Sequence, residues 1–571
     1  MNASSPVTLV SPITRRAILK AIAATGASAT LAGSALPFAG VGSVVAQDGK
    51  VICNMVCESG ASFARNFNPF VPNTRWASNH TIYEPLMLYN YAQGKLEPWL
   101  ATEYAWSADN LTLTMPLRTD VTWSDGEKFT AADVVFTFEL MQKFPALIGS
   151  ASGAWNDYLD AVTAEDDATV SFTFKRVYTP ALYLITNQTI VAKHTWESVE
   201  DPVTYTNEAP VGTGPFTEIP IFQSQGYEVA KNPGYWAPIA IDGLQFKAYT
   251  GNDQIGAAVV SGQIDWGGLV ANPDETFVAK DPEHNHYWWP TTTNVCLFLN
   301  TTRKPFDDVR FRKAIGAALN REQMVQTALW GKSTPANATG LAESAFKDWI
   351  DPAAVDAGKD WVTLNVDLAN QWLDDAGYAR QGDWRTMPDG SEMKFSAIVP
   401  GGYTDWVAVL QIAITNLKEV GINVELATTS PDAWSTSIYS GDFDMSLGTG
   451  SRGATPFQFY RGTMSATTSK PVGEVATENF HRYVNKQADE LLLKFAGTSD
   501  LDEQKTVARD LEAIFADEAP VVPLYGAPDW GLYTTTRITG FPNEDDPYAP
   551  LTNQGTWPTV LIVFRKLKPA T

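Results

Sequence analysis

The first half of the chain alternates between apolar and polar residues in short runs, which is typical of half-buried strands. Residues 111–115 and 170–174 both alternate with a period of two. Thr130 and Asp133 have the spacing of a capping box, which predicts that a helix begins here and covers 134–142. We therefore expect mostly strands with interspersed helices in this half.

Beyond residue 300, apolar residues recur at helical spacing, and the helices they predict alternate with strands. Asp307 and Asp308 place negative charge at the start of one helix, where the helix dipole favours it. Gly421 ends another helix, and residues 422–426 follow as a strand. The apolar faces of four predicted helices lie at 311–319, 410–417, 491–495 and 511–515. The pattern predicts an α/β fold with large mixed sheets.

The N-terminus has the pattern of an export signal. Residues 14–20 read Thr-Arg-Arg-Ala-Ile-Leu-Lys, the order of a twin-arginine signal, and a weakly apolar run follows over 21–38. Small residues at 44–46 suit a signal peptidase, so we predict a signal peptide over 1–46 and a periplasmic or extracellular mature protein. A disordered basic leader is the alternative. No later segment is apolar enough to cross a bilayer.

The chain is strongly acidic. Its formal net charge is −23, and loss of Arg15, Arg16 and Lys20 with the signal would make it −26. Nucleic acids and anionic lipid surfaces both require basic protein surface, so neither is expected as a partner. The acidic residues are spread along the chain, which indicates a role in solubility. The length after cleavage exceeds what one core supports, so two or three lobes are expected.

Cysteine and histidine usage indicates neither a disulfide framework nor a metal site. The cysteines are Cys53, Cys57 and Cys296. Residues 53 and 57 would lie about 13 Å apart on one strand, too far to be bridged, and whether any two cysteines pair stays open. His284 and His286 lie two apart without further ligands, so no metal and no cofactor are expected.

The motifs of common hydrolases and nucleotide-binding enzymes do not occur. The sequence has no Gly-x-Ser-x-Gly, no His-Glu-x-x-His and no phosphate-binding loop. A glycoside hydrolase needs only two suitably spaced carboxylates, so that alternative stays open with 64 acidic residues present. A non-enzymatic protein is the favoured interpretation.

Several longer segments resemble one family of transport proteins and follow its order along the chain. The segments are 82–86, 98–101, 117–134, 210–216, 232–236, 261–266, 305–310 and 417–422. Taken together they resemble the extracellular solute-binding proteins of the oligopeptide, dipeptide and nickel class, which serve ABC importers.

This resemblance implies a two-lobed periplasmic-binding-protein fold with mixed sheets and a hinge between the lobes. Lobe I would cover 47–295 with an extra subdomain at about 86–204, and lobe II would cover 296–525. The chain would return to lobe I over 526–571. The implied protein is a monomer that closes on a small ligand and delivers it to the transmembrane subunits of an ABC permease.

Within the family, the chain is more similar to the branch that binds chitooligosaccharides and cellobiose-like β-glycans than to peptide binders. Segments 63–70, 205–210, 345–351, 402–406 and 533–547 carry that similarity. Peptide-binding members use an acidic residue in lobe II to receive the peptide amine, whereas the matching segment 448–460 contains no acid. We therefore expect an oligosaccharide ligand, with an oligopeptide or dipeptide as the alternative.

A sugar ring needs a flat aromatic side chain against its C–H face and polar groups around its rim. Trp349 and Phe541 are the candidate aromatic platforms, with core packing as the alternative for each. Trp406 is a third candidate, beside Tyr403, although it could be the first core residue of its helix.

Three polar residues are candidates for contacts with sugar hydroxyls. Asp351 could accept hydroxyl hydrogens or cap a helix. Arg65 could donate to hydroxyls or form an ion pair between the lobes. Asn207 can both donate and accept, as a pair of hydroxyls demands, or it could cap a loop.

Overall fold

The computed structural model describes residues 49–58, 60–269, 271–553 and 558–571. The predicted signal peptide and its cleavage point at Ala46 lie outside these residues. The strands are β1 Ile52–Met55, β2 Met87–Asn90, β3 Lys95–Pro98, β4 Ala105–Trp106, β5 Thr112–Pro116, β6 Leu159–Asp166, β7 Thr169–Phe174, β8 Phe216–Gln223, β9 Gly226–Lys231, β10 Gly243–Lys247, β11 Asn285–Tyr287, β12 Thr291–Leu299, β13 Arg380–Gln381, β14 Trp384–Arg385, β15 Lys394–Pro400, β16 Asn423–Thr429, β17 Met445–Thr449, β18 Val522–Pro528, β19 Leu532–Thr534, β20 Ile538–Thr539 and β21 Lys568–Pro569.

Helices are interspersed with these strands and become frequent after residue 300. The α-helices are Ala131–Lys143, Ala154–Asp157, Ala181–Thr186, Lys193–Trp196, Asn252–Val260, Pro273–Thr276, Val309–Ala318, Arg321–Ala328, Glu343–Phe346, Pro352–Val362, Val366–Asp375, Thr404–Glu419, Pro431–Ser440, Pro456–Met464, Lys486–Ala496, Leu501–Glu518 and Val560–Phe564. A π-helical turn covers Ser78–Ile82 and a 3₁₀ turn covers Val278–Lys280. Among the described residues, no helix combines the length and the apolar composition that a membrane span requires.

The elements predicted from local patterns are present. The two alternating runs are β5 and β7, which pair antiparallel. The predicted capping box begins helix Ala131–Lys143, and the Asp133 carboxylate accepts the backbone N–H of Thr130 at 2.9 Å. Asp308 caps helix Val309–Ala318, and Phe311 and Ile315 on its apolar face are fully buried. These confirm the α/β class and the mixed sheets.

The N-terminal part is built around two four-stranded sheets. In the first, of order β1-β10-β9-β8, the β1–β10 pair is parallel and the others are antiparallel. The second has the order β4-β5-β7-β6 and, with the β2–β3 hairpin, lies inside the predicted extra subdomain. Helix Ala131–Lys143 packs on this second sheet through β6 and β7.

The C-terminal part is built around a five-stranded mixed sheet of order β16-β15-β17-β12-β18. Strands β15, β16 and β17 are parallel, and β12 runs antiparallel to both β17 and β18. Strand β18 therefore has the same direction as β15 and β17. The carboxyl ends of these three strands consequently lie at one edge of the sheet.

The chain crosses between the two parts twice, and the crossing segments are hydrogen-bonded to each other. The first crossing joins β11 to β12 and the second joins β18 to β19. The Trp288 N–H donates to the Gly531 carbonyl at 3.1 Å, and the Asp529 N–H donates to the Pro290 carbonyl at 2.8 Å. The predicted boundaries at 295/296 and 525/526 therefore fall within β12 and β18. The division into two lobes stays a prediction.

Candidate ligand cavity

A cavity of about 360 Å³ lies between the first sheet and the five-stranded sheet. One wall comes from segments that follow β1 and β10 and from the C-terminal segment; its residues are Val56, Cys57, Glu58, Asn252, Ile255, Leu269 and Thr552. The facing wall comes from the five-stranded sheet and the segments after its strands; its residues are Val295, Tyr403, Asp405, Trp406, Thr449, Arg452, Tyr525, Ala527, Pro528, Asp529 and Trp530.

Strand direction explains why these residues converge. Strands β1 and β10 are parallel, so the residues that follow them, Glu58 and Asn252 among them, leave the sheet at the same edge. Strands β15, β17 and β18 likewise end together, and Asp405, Arg452 and Asp529 follow them. Binding sites of open α/β sheets form at the carboxyl ends of the strands, and this cavity uses two such edges.

Arg452 and Asp529 form an ion pair in the cavity wall, in which the aspartate is buried and the arginine is partly buried. Arg452 Nη2 donates to Asp529 Oδ1 at 2.9 Å, and Thr292 Oγ1 donates to Asp529 Oδ2 at 2.8 Å. Burial raises the pKa of the Asp529 carboxyl, and the Arg452 guanidinium and these hydrogen bonds oppose the rise. The cation of segment 448–460 is thus balanced by an acid that lies 77 residues further along the chain.

Asp405 connects the two walls. It lies in the first turn of helix Thr404–Glu419, where it accepts a hydrogen bond at 3.0 Å from the Nδ2 of Asn252. Burial raises the pKa of the Asp405 carboxyl to about 6, against the backbone N–H groups and the Asn252 amide, which favour the ionised form. Among the described residues no cation forms an ion pair with Asp405.

Glu58 is the third carboxylate of the cavity. It lies 3.1 Å from Arg75 Nη1 and accepts a hydrogen bond from the Tyr227 hydroxyl at 2.9 Å. Burial raises the pKa of Glu58, and Arg75 and Tyr227 limit the rise. The negative charge of Glu58 is therefore balanced from inside the protein, as is that of Asp529.

Aromatic side chains supply the apolar part of the lining. The rings of Tyr403 and Trp406 meet edge to face with their centroids 5.7 Å apart, and Trp434 packs edge to face on Trp406 at 5.7 Å. Trp530 also lines the cavity and packs edge to face on Trp289 at 4.8 Å. The site thus combines flat rings with carboxylate, amide and guanidinium groups.

Of the residues predicted to bind ligand, Tyr403 and Trp406 line this cavity. Trp349 packs with its ring 6.1 Å from that of Phe495, away from the lining. Asp351 caps helix Pro352–Val362 by accepting the Ala353 N–H at 3.1 Å, which is the alternative role that the sequence offered.

Asn207, Arg65 and Phe541 also lie outside the lining. Asn207 is buried with φ 48°, and its Nδ2 donates to the Tyr83 hydroxyl at 2.6 Å. Arg65 is half-buried, and its Nε donates to the Glu208 carbonyl at 2.9 Å.

Phe541 does not stand on an open wall as a platform would. Its side chain is only 5% exposed, and its ring packs 4.7 Å from Tyr533 and 5.6 Å from Trp266. Gly540, directly before it, has a φ of 95° and lies close to the Lys566 backbone, where a Cβ atom would come within 2.2 Å of the carbonyl oxygen. These contacts give Phe541 a core role in this conformation.

Several polar or aromatic residues of the lining are not among those predicted from the sequence, including Glu58, Asn252, Asp405, Arg452, Asp529 and Trp530. Asp405 could have been predicted, because it lies between Tyr403 and Trp406 in segment 402–406. The others could have been found from one topological signal, namely that each follows the carboxyl end of a strand near the site. That signal requires knowing which strands are parallel.

The described residues contain no group of three or more histidine, cysteine or acidic side chains arranged to hold a metal ion. Cys53, Cys57 and Cys296 are all free thiols. Burial raises the pKa of each thiol, which keeps the reactive thiolate scarce. Nothing in this arrangement resembles an activated nucleophile.

Comparison with known proteins identifies the family to which the chain belongs. Residues 95–471 match the family model described as "Bacterial extracellular solute-binding proteins, family 5 Middle". The glutathione-binding protein GsiB of Escherichia coli K12 is 24% identical over 449 residues, which cover 75% of this chain and 80% of that protein.

Solved structures agree with this placement. A periplasmic oligopeptide-binding protein of Thermotoga maritima, crystallised with mannohexaose bound, is 25% identical and superposes with a TM-score of 0.84 over 91% of this chain and 99% of that one. The oligopeptide-binding protein AppA of Bacillus subtilis, in complex with a nonapeptide, shares the fold at 19% identity and a TM-score of 0.75, over 91% of this chain and 100% of that one. The chain belongs to the family 5 extracellular solute-binding proteins, the non-enzymatic substrate-binding components of ABC importers.

Proposed function

We propose that the chain binds a short oligosaccharide in the 360 Å³ cavity. The observation that carries the proposal is that two of the three carboxylates in the lining are paired with cations of the protein itself. Glu58 is paired with Arg75, and Asp529 is paired with Arg452. A neutral ligand rich in hydroxyls can hydrogen-bond to these groups without having to supply a charge of its own.

The aromatic lining fits the same ligand class. Sugar rings pack their C–H faces on flat side chains, and Tyr403, Trp406 and Trp530 offer such surfaces. The cavity volume lies near the lower end of the range of about 300–1,000 Å³ for small-molecule sites, which suits a short oligosaccharide. The similarity to the Thermotoga protein with bound mannohexaose supports a sugar, and the resemblance of segment 402–406 favours β-linked glycans such as cellobiose or chitooligosaccharides.

A peptide is the second candidate, and Asp405 is the observation in its favour. Asp405 is a cavity carboxylate balanced by an amide rather than by a cation, so a peptide ammonium group could take the place of a counter-charge. The relative named as glutathione-binding supports this alternative. The two candidates differ in whether the ligand must carry a positive charge.

Isothermal titration calorimetry on residues 47–571 separates them. We expect equimolar binding of at least one among cellotriose, mannotriose and chitotriose, and no heat from triglycine or glutathione. Chromatography after long incubation should return the sugar intact, since the family is non-enzymatic. Binding of triglycine or glutathione with no response to any sugar would overturn the oligosaccharide assignment.

We also propose how the protein is exported and how it interacts with the permease. Arg15 and Arg16 would direct export by the twin-arginine pathway, and the mature monomer would present its closed form to the permease. Support for the export route comes from the order of residues 14–20. Light scattering of the purified mature protein tests the monomeric state.

A further inference from the structure

Two glycines bring the walls of the cavity into backbone contact. Gly251 follows β10 and Gly402 follows β15, and the Asn252 N–H donates to the Gly402 carbonyl at 3.1 Å. A Cβ atom on Gly251 would lie 2.9 Å from the Gly402 carbonyl oxygen and 3.0 Å from its Cα. A Cβ atom on Gly402 would lie 2.8 Å from the Thr250 carbonyl oxygen.

Space, rather than backbone conformation, explains the glycine at 251. Its φ of 172° is extended backbone that any residue adopts. The atoms that an added methyl group would meet are backbone atoms, which cannot swing aside as a flexible side chain does. Glycine at both positions is therefore what allows this approach.

The side chains beside the glycines reinforce the contact and border the cavity. Asn252 Nδ2 donates to Asp405 Oδ1 at 3.0 Å, and both residues line the cavity. Gly251 and Gly402 themselves are not part of the lining. The contact thus lies directly next to the ligand space without entering it.

We propose that Gly251 and Gly402 form a closing seam between the two walls, and that this seam sets ligand affinity although neither glycine touches the ligand. The proposal rests on this cavity being the ligand site but not on the ligand being a sugar. It assigns to two small residues a positioning role beside that of the Asn252–Asp405 hydrogen bond.

The physical reason is a population effect. A ligand held between two walls binds tightly only to the closed form, so its apparent affinity falls with the fraction of molecules that can close. A methyl group at either glycine disfavours closure by forcing the backbones apart. Loss of the closed form should act mainly on the dissociation rate, because the open form still accepts the ligand.

Gly401 provides a matched control next to Gly402. A Cβ atom on Gly401 would lie 3.4 Å from the Thr428 Cβ, an ordinary van der Waals distance. Gly401→Ala therefore adds the same methyl group to the same segment without approaching Gly251 on the opposite wall. Its effect measures what the substitution does apart from the seam.

The experiment compares wild type, Gly402→Ala, Gly251→Ala and Gly401→Ala by calorimetry and stopped-flow kinetics with cellotriose, mannotriose, chitotriose, triglycine and glutathione. We expect Gly402→Ala and Gly251→Ala each to weaken binding of whichever probe the wild type binds by at least about tenfold, through faster dissociation. Gly401→Ala should stay within about twofold of wild type. Thermal melts show whether each variant is folded. If one of the two seam variants is not, the other one still tests the proposal.

Unchanged affinity in both seam variants, or an equal loss in the Gly401→Ala control, overturns the seam. If the wild type binds none of the probes, the proposed ligand class is wrong, but the seam can still be tested. Small-angle X-ray scattering of the ligand-free proteins then compares their radii of gyration. The seam predicts a larger radius of gyration for Gly402→Ala than for wild type and Gly401→Ala. Equal radii in that case overturn it.

Discussion

Arg452 and Asp529 lie 2.9 Å apart in the cavity wall and join the segments that follow two parallel strands, β17 and β18. The side chain of Asp529 is only 2% exposed, whereas that of Arg452 is 26% exposed. The arginine therefore neutralises the acid while its own side chain stays partly exposed in the cavity wall. This one pair serves both the stability of the wall and the polarity of the site.

Arg452→Met should destabilise the protein at neutral pH by about 3 kcal/mol, because the carboxylate of Asp529 is left buried without its cation. Burial already raises the pKa of Asp529, and loss of Arg452 raises it further. The cost should then shrink as pH falls and Asp529 is protonated. Urea unfolding of wild type and variant at pH 4 to 8 measures it.

The control for this prediction is the double variant Arg452→Met/Asp529→Asn. It has no buried charge at this place, so its stability relative to wild type should depend far less on pH than that of Arg452→Met. The same pH dependence in both variants would show that Asp529 is not the group left unpaired.

Trp406→Ala and Trp530→Ala should each weaken binding of the best oligosaccharide by about 2 kcal/mol, or about thirtyfold, because each removes an aromatic surface from the cavity. Trp349→Ala and Phe541→Ala are the comparison, since the sequence predicts a platform role that their packing does not favour. We expect these two to lower the melting temperature more than the affinity. A thirtyfold loss in Trp349→Ala with unchanged affinity in Trp406→Ala would restore the sequence-based site.

Asp405 should make the folding stability depend on pH. Its pKa is about 6 in the folded protein, whereas an unfolded aspartate has a pKa of about 3.9. Because the folded-state pKa is raised, the stability that protonated Asp405 contributes is complete below pH 4 and is lost as pH rises through 6. The stability of wild type relative to Asp405→Asn should therefore fall by about 2 kcal/mol between pH 4 and pH 7.

Urea unfolding of wild type and Asp405→Asn across this range measures that difference. A difference that is constant with pH would mean that the Asp405 pKa is not raised.

Calorimetry on Asp405→Asn also tests which class of ligand the protein binds. The affinity for a neutral sugar should change little, whereas a peptide held through its ammonium group would be lost.

Replacing Arg15 and Arg16 together by lysine should leave the full-length protein unprocessed and inside the cell, since the twin-arginine pathway reads the paired guanidinium groups. Immunoblots of periplasmic and cytoplasmic fractions measure the outcome. A conservative change at Lys20, Lys20→Arg, controls for substitution of a basic residue in the same segment. Normal secretion of the Lys-Lys variant would indicate the general secretory route.

Local patterns in the sequence were enough for the elements and the family. Strand β5 alternates because one of its faces is buried, and helix Ala131–Lys143 begins at its capping box; both signals act over a few residues. The order of the family-like segments then predicted the fold class correctly. Neither inference needed contacts between distant parts of the chain.

The candidate cavity depends on such contacts, which local patterns in the sequence do not indicate. Asp529 balances Arg452 from 77 residues away, and Asn252 bonds to Asp405 from 153 residues away. Nothing in either residue's neighbours indicates its partner. Phe541 illustrates a second difficulty. Its turn is compatible with an exposed or a buried ring, and the packing on Trp266 and Tyr533, which the sequence does not indicate, makes it buried.

The paired crossing segments have a mechanical consequence. Because the backbones at Trp288 and Gly531, and at Pro290 and Asp529, are hydrogen-bonded, the two connections form a short ribbon rather than two independent tethers. These hydrogen bonds hold the two connections side by side, so that neither can move without the other. If the two walls close on a ligand as proposed, their movement would then follow one arc, and the same pairs of residues would meet at each closure.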